Sequence, residues 1–304
     1  MLSIRQEVQH AIATVELAAP PGARAGFAEL AAAIDLLEVH VLDRLRYLEE
    51  RASLPADLQA LGAHAAALHR RLEAASGRIL RGLRRQIRSG RHTPEQLRHA
   101  FAGHAGPPGR QGGYDTLDLL VGGLLGAGAP SEERAVREPE MVSYQPTPAR
   151  AILTLIERAN IRPDDTFYDL GSGLGQVVIL VALLSGARAR GVEIEPAYCE
   201  YVERCARRLN VPGVQFIRAD AREARLAEGT VFFMYAPFRG GLLQQVLKRL
   251  QAEAMDRHIR VCTYGPCTAE MARVSWLSPR DRRDPGEHEV AVFHGVPPGR
   301  GEHA

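Results

Sequence analysis

A glycine-rich turn near the middle of the chain constrains its fold more than any other feature. A β-favouring run over residues 166–170 contains the acidic Asp169, glycines then occupy alternate positions, and an apolar run begins after Gln176. The glycines are Gly171, Gly173 and Gly175. This order predicts a buried strand, a tight turn, and a helix whose free N–H groups face a ligand. We therefore expect a nucleoside-like cofactor at the turn.

The spacing of the glycines indicates which cofactor this is. The dinucleotide fingerprint G-x-G-x-x-G needs a glycine where this chain has Gln176. The observed spacing E/D-x-G-x-G-x-G resembles motif I of class I S-adenosylmethionine-dependent methyltransferases. An acid in the position of Asp169 can face the ammonium group of that cofactor directly or through water. The predicted cofactor contacts at the turn are Asp169, Gly171, Ser172, Gly173, Gly175 and Gln176.

Two further acids end predicted strands downstream. Residues 188–194 read as a strand ending near Glu193, about 20 residues after the turn, where an acid can bind both ribose hydroxyls. Residues 214–220 read as a third strand ending in Asp220, and in class I methyltransferases such an acid commonly reaches the adenine amino group. Each acid alone is explained as well by a solvated carboxylate or a helix cap. Together they predict one site at the carboxyl edge of a sheet.

Composition restricts the class of protein. The chain has 304 residues, 45% of them hydrophobic, so it can bury the core of one large or two modest domains. A net charge of +2 favours no particular partner. The four cysteines show neither metal spacing nor a disulfide framework, which predicts reduced thiols in a cytoplasmic protein, and the histidines give no reason to assign a metal. The N-terminus looks polar and helical rather than like a signal peptide, and no apolar run predicts a membrane span.

The pattern along the chain divides it into three regions. Residues 1–104 predict a helical bundle or lid, 105–140 a loop-rich linker with one short helix at 114–125, and 141–304 the cofactor-binding domain. Within the first region, apolar spacing predicts helices from Ile4, over 27–51, over 57–75, after Gly77 and from Thr93. Glycine and proline dominate the beginning of the linker, at 106–113.

Helices and strands alternate in the third region. Strands are predicted near residues 168, 191, 216, 232 and 261, with helices over 176–184, 196–209 and 240–255. Repeated βα units imply a parallel sheet that is covered on both faces. Residues 274–277 and 289–294 read as strands six and seven, an antiparallel edge hairpin. The predicted fold is therefore α/β, a Rossmann-like seven-stranded sheet of the class I methyltransferase type, with an N-terminal all-helical domain.

A closer resemblance covers about residues 141–265. Residues 169–178 are similar to motif I of the non-SET, disruptor-of-telomeric-silencing family of histone-lysine methyltransferases. Tyr144 and Thr147, in the sequence Tyr-Gln-Pro-Thr, match that family's Tyr-Gly-Glu-Thr loop, which closes over the cofactor, whereas the central pair differs. The resemblance implies that Tyr144, Thr147 and Glu193 bind S-adenosylmethionine.

The loop after the fourth predicted strand departs from this family. The paired asparagines near the transferring methyl are absent, and Tyr235 and Ala236 stand in their place. The following Pro237 and Phe238 match only the second half of the Asp/Asn-Pro-Pro-Tyr/Phe loop of many amine and amide methyltransferases. We assign Tyr235 to orienting the nucleophile and Phe238 to the acceptor wall, although a packing role explains Tyr235 equally well.

The sequence does not determine which molecule accepts the methyl group. Direct in-line methyl transfer to a protein or amine nitrogen competes with O-methylation of a small metabolite and with a non-catalytic cofactor-binding protein; a nicotinamide-dependent oxidoreductase is disfavoured by Gln176. The arginine-rich stretch 70–98 is compatible with a nucleic-acid partner. We favour a solvated helix face in an arginine-biased chain, since no aromatic residues interleave there.

Overall fold

A computed structural model describes residues 3–19, 25–104, 114–126, 130–281, 286 and 288–295. Within these residues the chain divides into two units. The first is bounded by Met1–Gln86, His99–Pro108 and Asp115–Leu124, and the second by Ile87–Arg98, Gly109–Tyr114 and Leu125–Ala304. No helix in the described ranges has both the length and the apolar character that crossing a membrane requires.

The first unit is built from helices. The helices that lie wholly or partly in it are α1 Ile4–Ala18, α2 Phe27–Leu37, a π-helical turn Glu38–Leu42, α3 Asp43–Glu49, α4 Ala56–Ser89, α5 Pro94–His104 and α6 Thr116–Leu125. Helix α1 begins with a capping box in which Ser3 and Gln6 satisfy each other's backbone N–H groups. Apolar residues at helical spacing on α1, α2 and α4 form a shared core that includes Val8, Leu37 and Leu72.

One predicted helix boundary is wrong. The sequence predicts separate helices on either side of Gly77, but α4 is continuous over Ala56–Ser89. The apolar positions Leu68, Leu72, Ile79 and Leu83 keep helical spacing across the glycine, and their burial outweighs the roughly 1 kcal/mol that a glycine costs in a helix interior.

The second unit contains a seven-stranded sheet with the order β3-β2-β1-β4-β5-β7-β6. The strands are β1 Thr166–Leu170, β2 Arg188–Glu193, β3 Val214–Arg218, β4 Val231–Met234, β5 Ile259–Thr263, β6 Leu277–Pro279 and β7 Ala291–Gly295. Strands β1 to β5 are parallel, whereas β7 pairs antiparallel with both β5 and β6. The predicted Rossmann-like sheet with an antiparallel pair at one edge is confirmed.

Helices connect these strands. They are α7 Ala149–Arg158, α8 Gln176–Ser185, α9 Pro196–Leu209, α10 Gly240–Asp256 and α11 Cys267–Met271. All residues of β1 and β4 are buried, as expected for central strands covered on both faces. Tyr168 on β1 and Phe232 on β4 belong to the same hydrophobic core as Phe293 on β7.

The sixth strand is shorter than predicted, whereas the short helix of the linker is present. Residues 274–276 form turns after α11, because the N–H of Val274 bonds to the carbonyl of Met271 and that of Leu277 to Val274, so β6 starts only at Leu277. In the linker, the short helix is confirmed as α6. The predicted loop at 106–113 lies outside the described residues, as does 127–129.

Candidate functional site

A cavity of about 460 Å³ lies at the carboxyl edge of the parallel strands. The strand order reverses between β1 and β4, and open α/β sheets bind ligands at such a switch point. The turn after β1, the end of β2 and the loops after β3, β4 and β5 all contribute to its wall. Of the predicted site residues, those lining the cavity are Tyr144, Thr147, Asp169, Gly171, Ser172, Gly173, Gln176, Glu193, Asp220, Tyr235 and Phe238.

The glycine turn allows two close approaches that no side chain would permit. Gly171 has a φ of +84°, and a Cβ built on it would lie 2.4 Å from the Pro237 ring. Gly173 has a φ of +51°, and its Cβ would lie 2.4 Å from the Tyr144 ring. Both positions combine the left-handed conformation with crowding, so they require glycine for two independent reasons. Gly175 caps the start of α8 and packs under the cavity against α9 rather than lining it.

Two polar groups in this part of the wall are buried. The hydroxyl of Ser172, in a residue that is 6% exposed, has no hydrogen-bond partner among the described residues. Asp169 is 3% exposed, and burial, together with the nearby Glu193, raises the pKa of its carboxyl group to about 8. Buried polar groups are normally paired, so this arrangement suits a polar or cationic ligand at the end of β1.

Glu193 is held by backbone N–H groups at the end of β2. Its carboxylate accepts hydrogen bonds from Gly173 N at 2.8 Å and from Glu195 N at 2.8 Å. Burial raises the pKa of Glu193, and these N–H groups partly offset the effect. The residue therefore ties the glycine turn to β2.

Asp220 lines the cavity, but its carboxylate is already paired. It accepts hydrogen bonds from the Arg222 guanidinium, the shortest at 2.6 Å, and from the Arg222 backbone N–H at 2.8 Å. The guanidinium also contacts Glu138. Hydrogen bonding to Arg222 lowers the pKa of Asp220, so this acid is ionised, in contrast to Asp169.

Residues 133–147, which we call the strap, form one side of the cavity. The strap is irregular in backbone, yet Glu195 accepts hydrogen bonds from Arg134 N at 2.9 Å and Ala135 N at 2.7 Å. At its other end, the side-chain amide of Gln176 donates to the carbonyl of Thr147. These contacts hold both ends of the strap against α8 and α9 of the same unit.

The middle of the strap is joined to the loop after β4. Val142 N donates to the carbonyl of Pro237 at 3.0 Å, and Met141 forms an antiparallel bridge with Phe238. The carboxylate of Glu140 accepts hydrogen bonds at the start of α10, from Gly241 N at 3.0 Å and Leu242 N at 2.7 Å.

The loop after β4 places Tyr235 opposite the strap. The Tyr235 hydroxyl donates to Gln145 Oε1 at 3.4 Å, its ring packs edge-on against Tyr264, and burial raises its pKa. Ala236 follows with a φ of +42°, an unfavourable conformation for an alanine. Phe238 also lines the cavity, but it is 6% exposed and belongs to the sheet core.

Sequence reasoning missed the residues that hold the strap. Glu195, directly before Pro196 at the start of α9, has the position of a helix cap, and its side chain bonds to Ala197 N at 2.8 Å as well as to the strap. Gln145 lies between the two strap residues that match the family loop, at a position where the loop residue differs, so the resemblance gives it no role. Glu140 had no sequence signal, because its partners lie about 100 positions further along the chain.

The sequence comparisons match the part of the chain that contains the glycine turn and Glu193. The model of the family "Histone methylation protein DOT1" matches residues 141–230, which is 90 of the 304 residues. A protein-lysine N-methyltransferase from Saccharolobus islandicus (strain REY15A) is 30% identical over 99 residues, or 31% of this chain. The chain spans 60% of the length of this curated relative. The family match begins in the strap, contains the glycine turn and Glu193, and ends before β4.

Two solved structures of methyltransferases are similar to about half of this chain. An RNA methyltransferase from Salinibacter ruber in complex with S-adenosyl-L-homocysteine has 27% identity and a TM-score of 0.41, with 51% of this chain and 95% of that chain covered. The putative methyltransferase yhhF from Escherichia coli has 16% identity and a TM-score of 0.42, with 51% and 91% covered.

The cavity residues fit the cofactor that the family match implies. The unpartnered Ser172 hydroxyl and the Asp169 carboxyl face the space beside the glycine turn, where a ligand with donor and cationic groups would satisfy them. The strand order 3-2-1-4-5-7-6 and the match over residues 141–230 add to these features, and together they match a class I S-adenosylmethionine-dependent methyltransferase domain.

Proposed function

We propose that the protein transfers a methyl group from S-adenosylmethionine to the amine nitrogen of a lysine in an acceptor polypeptide. The observation that carries this proposal is the charge of the cavity wall. Six acidic residues line it against two arginines, Arg137 and Arg239. The acids are Glu133, Asp169, Glu193, Glu195, Asp220 and Glu270. Asp169, whose pKa is raised to about 8, carries little charge at neutral pH, and Arg222 offsets Asp220, but the remaining acids still outnumber Arg137 and Arg239. An acidic cavity attracts a cationic acceptor more strongly than a neutral hydroxyl compound.

The two ends of the cavity would have different tasks. We call the wall formed by the glycine turn, Asp169 and Glu193 the cofactor end, and the wall formed by Gln145, Tyr235 and Phe238 the acceptor end. S-adenosylmethionine supplies an electrophilic methyl group on its sulfonium. The role of the chain is to position a nucleophile in line with that methyl and to exclude water from the reaction.

The acceptor end has residues suited to an amine. Tyr235 and Gln145 offer oxygen atoms that can accept hydrogen bonds from a nitrogen. Phe238 and Pro237 offer apolar surface beside them, and an apolar environment favours the neutral, nucleophilic form of a lysine amine. The curated relative named as a protein-lysine N-methyltransferase supports the same acceptor class.

A panel assay tests the proposal. The protein is incubated with methyl-labelled S-adenosylmethionine and separate pools of proteins, small amines and hydroxylated metabolites, and labelled products are identified by mass spectrometry. We expect label on lysine nitrogen in polypeptides. Label confined to metabolite oxygen would contradict the proposal, and so would the absence of transfer despite cofactor binding.

The Tyr235→Phe variant tests the acceptor end. Loss of the hydroxyl should lower kcat roughly 10-fold or more, because the nucleophile loses an orienting contact, while the affinity for S-adenosylmethionine stays unchanged by calorimetry. Tyr47→Phe is the matched control, since Tyr47 is an exposed tyrosine in the first unit. Full activity of Tyr235→Phe would reduce Tyr235 to a packing residue.

A further inference from the structure

A second cavity, of about 490 Å³, lies next to the first one. One wall is the face of α10 that carries Gln244, Lys248 and Gln251, and the other is formed by residues 273–276 after α11. Glu270 borders both this cavity and the first one. Helix α10 also borders both, with Leu242 in its first turn lining the first cavity. The two cavities therefore follow one another along α10 and α11.

The walls of the second cavity carry cations without internal partners. Lys248, the only lysine of the sequence, and Arg273 are both exposed. Neither forms an ion pair with a carboxylate of the described residues. The one carboxylate on these walls is Glu270, at the junction with the first cavity.

We propose that this second cavity is a docking groove for an acidic segment of the acceptor polypeptide, next to the lysine that is methylated. The inference rests on the proposed function and adds a sequence preference to it. The positive groove would bind the acidic side chains of the acceptor, while Glu270 and the acidic first cavity would attract the lysine.

The dimensions of α10 set the spacing of the preferred acceptor. Lys248 lies six residues beyond Leu242, which corresponds to about 9 Å along a helix. An extended peptide covers this distance in about three residues. We therefore expect acidic residues within about two to four positions of the acceptor lysine. A nucleic acid is a poorer occupant, because Glu270 would repel its phosphates where the two cavities meet.

The single tryptophan allows docking to be measured without catalysis. Trp276 lines the groove and is the only tryptophan of the chain, so its fluorescence reports on this cavity. Two 12-residue peptides are titrated into the S-adenosylhomocysteine-loaded protein. Both contain one lysine. One peptide carries aspartates at the second, third and fourth positions after the lysine, and the other carries asparagines at the same three positions. We expect the aspartate peptide to bind at least 10-fold more tightly.

Charge-reversal variants locate the binding. Lys248→Glu and Arg273→Glu should each weaken binding of the aspartate peptide roughly 10-fold and raise its KM, with kcat and cofactor affinity unchanged. A peptide with arginines in place of the aspartates should gain affinity for Lys248→Glu. Arg204→Glu is the control, since Arg204 is exposed on α9 and lines neither cavity. Lys248→Gln should give a smaller loss and serves if a reversal variant does not fold.

The outcomes separate the docking groove from the proposed function. Equal binding of the two peptides, no effect of the reversals, or competition by a DNA oligonucleotide as strong as by the aspartate peptide would each overturn the docking proposal. Tight, reversal-sensitive binding of the aspartate peptide without any methylation of its lysine would support the groove and contradict the lysine methyltransferase activity alone.

Discussion

The two ends of the cavity are constructed in contrasting ways. At the cofactor end, one short stretch supplies most of the wall: between Asp169 and Gln176 the chain passes from a strand through a turn into the start of a helix. At the acceptor end, Gln145 and Tyr235 are 90 positions apart and meet only because the strap and the loop after β4 cross the same cavity. Local backbone geometry therefore determines the first end, and tertiary contacts between distant segments determine the second.

The largest expected effect is at Gly173. A valine there must adopt a left-handed φ and place its Cβ against the Tyr144 ring, so Gly173→Val should weaken S-adenosylmethionine binding at least 100-fold by calorimetry. Gly90→Val is the matched control: Gly90 has a φ of +62°, but no atom lies within 4 Å of its Cβ position. Binding lost equally in both variants would mean that backbone strain alone, and not the close approach of Tyr144, explains the effect.

Asp169 tests whether the cofactor end is built at the expense of stability. An acid whose pKa rises from 3.8 to about 8 on folding destabilises the folded state progressively as the pH increases through that window. In the cofactor-free protein, Asp169→Asn should therefore raise the free energy of unfolding, measured by thermal denaturation, more at pH 8 than at pH 5. The difference between the two pH values should be roughly 1–3 kcal/mol. Asp164→Asn is the control, because Asp164 is exposed. The same pH dependence in Asp169→Asn and the wild type would show that Asp169 is not a buried acid with a raised pKa.

The smallest expected effect concerns the strap. Glu195→Gln loses one of the two acceptor oxygens that bind the backbone N–H groups of Arg134, Ala135 and Ala197, so cofactor affinity should fall roughly 3- to 10-fold. Glu200→Gln removes only an exposed ion pair with the Arg134 side chain and should change little. Equal affinities of these two variants would mean that the strap does not depend on Glu195.

The contrast between the two ends also explains what could be predicted from the sequence. Strand, turn and helix start are encoded within a few residues, so the seven-stranded sheet and the location of Asp169 and Gly173 could be predicted. The continuity of α4 through Gly77 could not, because burial of its apolar stripe decides it. Likewise, the pairing of Asp220 with Arg222 and the attachment of the strap to Glu195 depend on side-chain geometry that no spacing records.

Direct titration of the wild-type protein tests the central claim, that the carboxyl edge of this sheet binds S-adenosylmethionine. Calorimetry measures the affinity for S-adenosylmethionine and, separately, for a nicotinamide dinucleotide, the two cofactors that a glycine turn of this kind can bind. The account predicts one molecule of S-adenosylmethionine bound per chain and no binding of the dinucleotide, since Gln176 replaces the third glycine and Asp169 lies where a pyrophosphate would be repelled. Binding of the dinucleotide without binding of S-adenosylmethionine would contradict it.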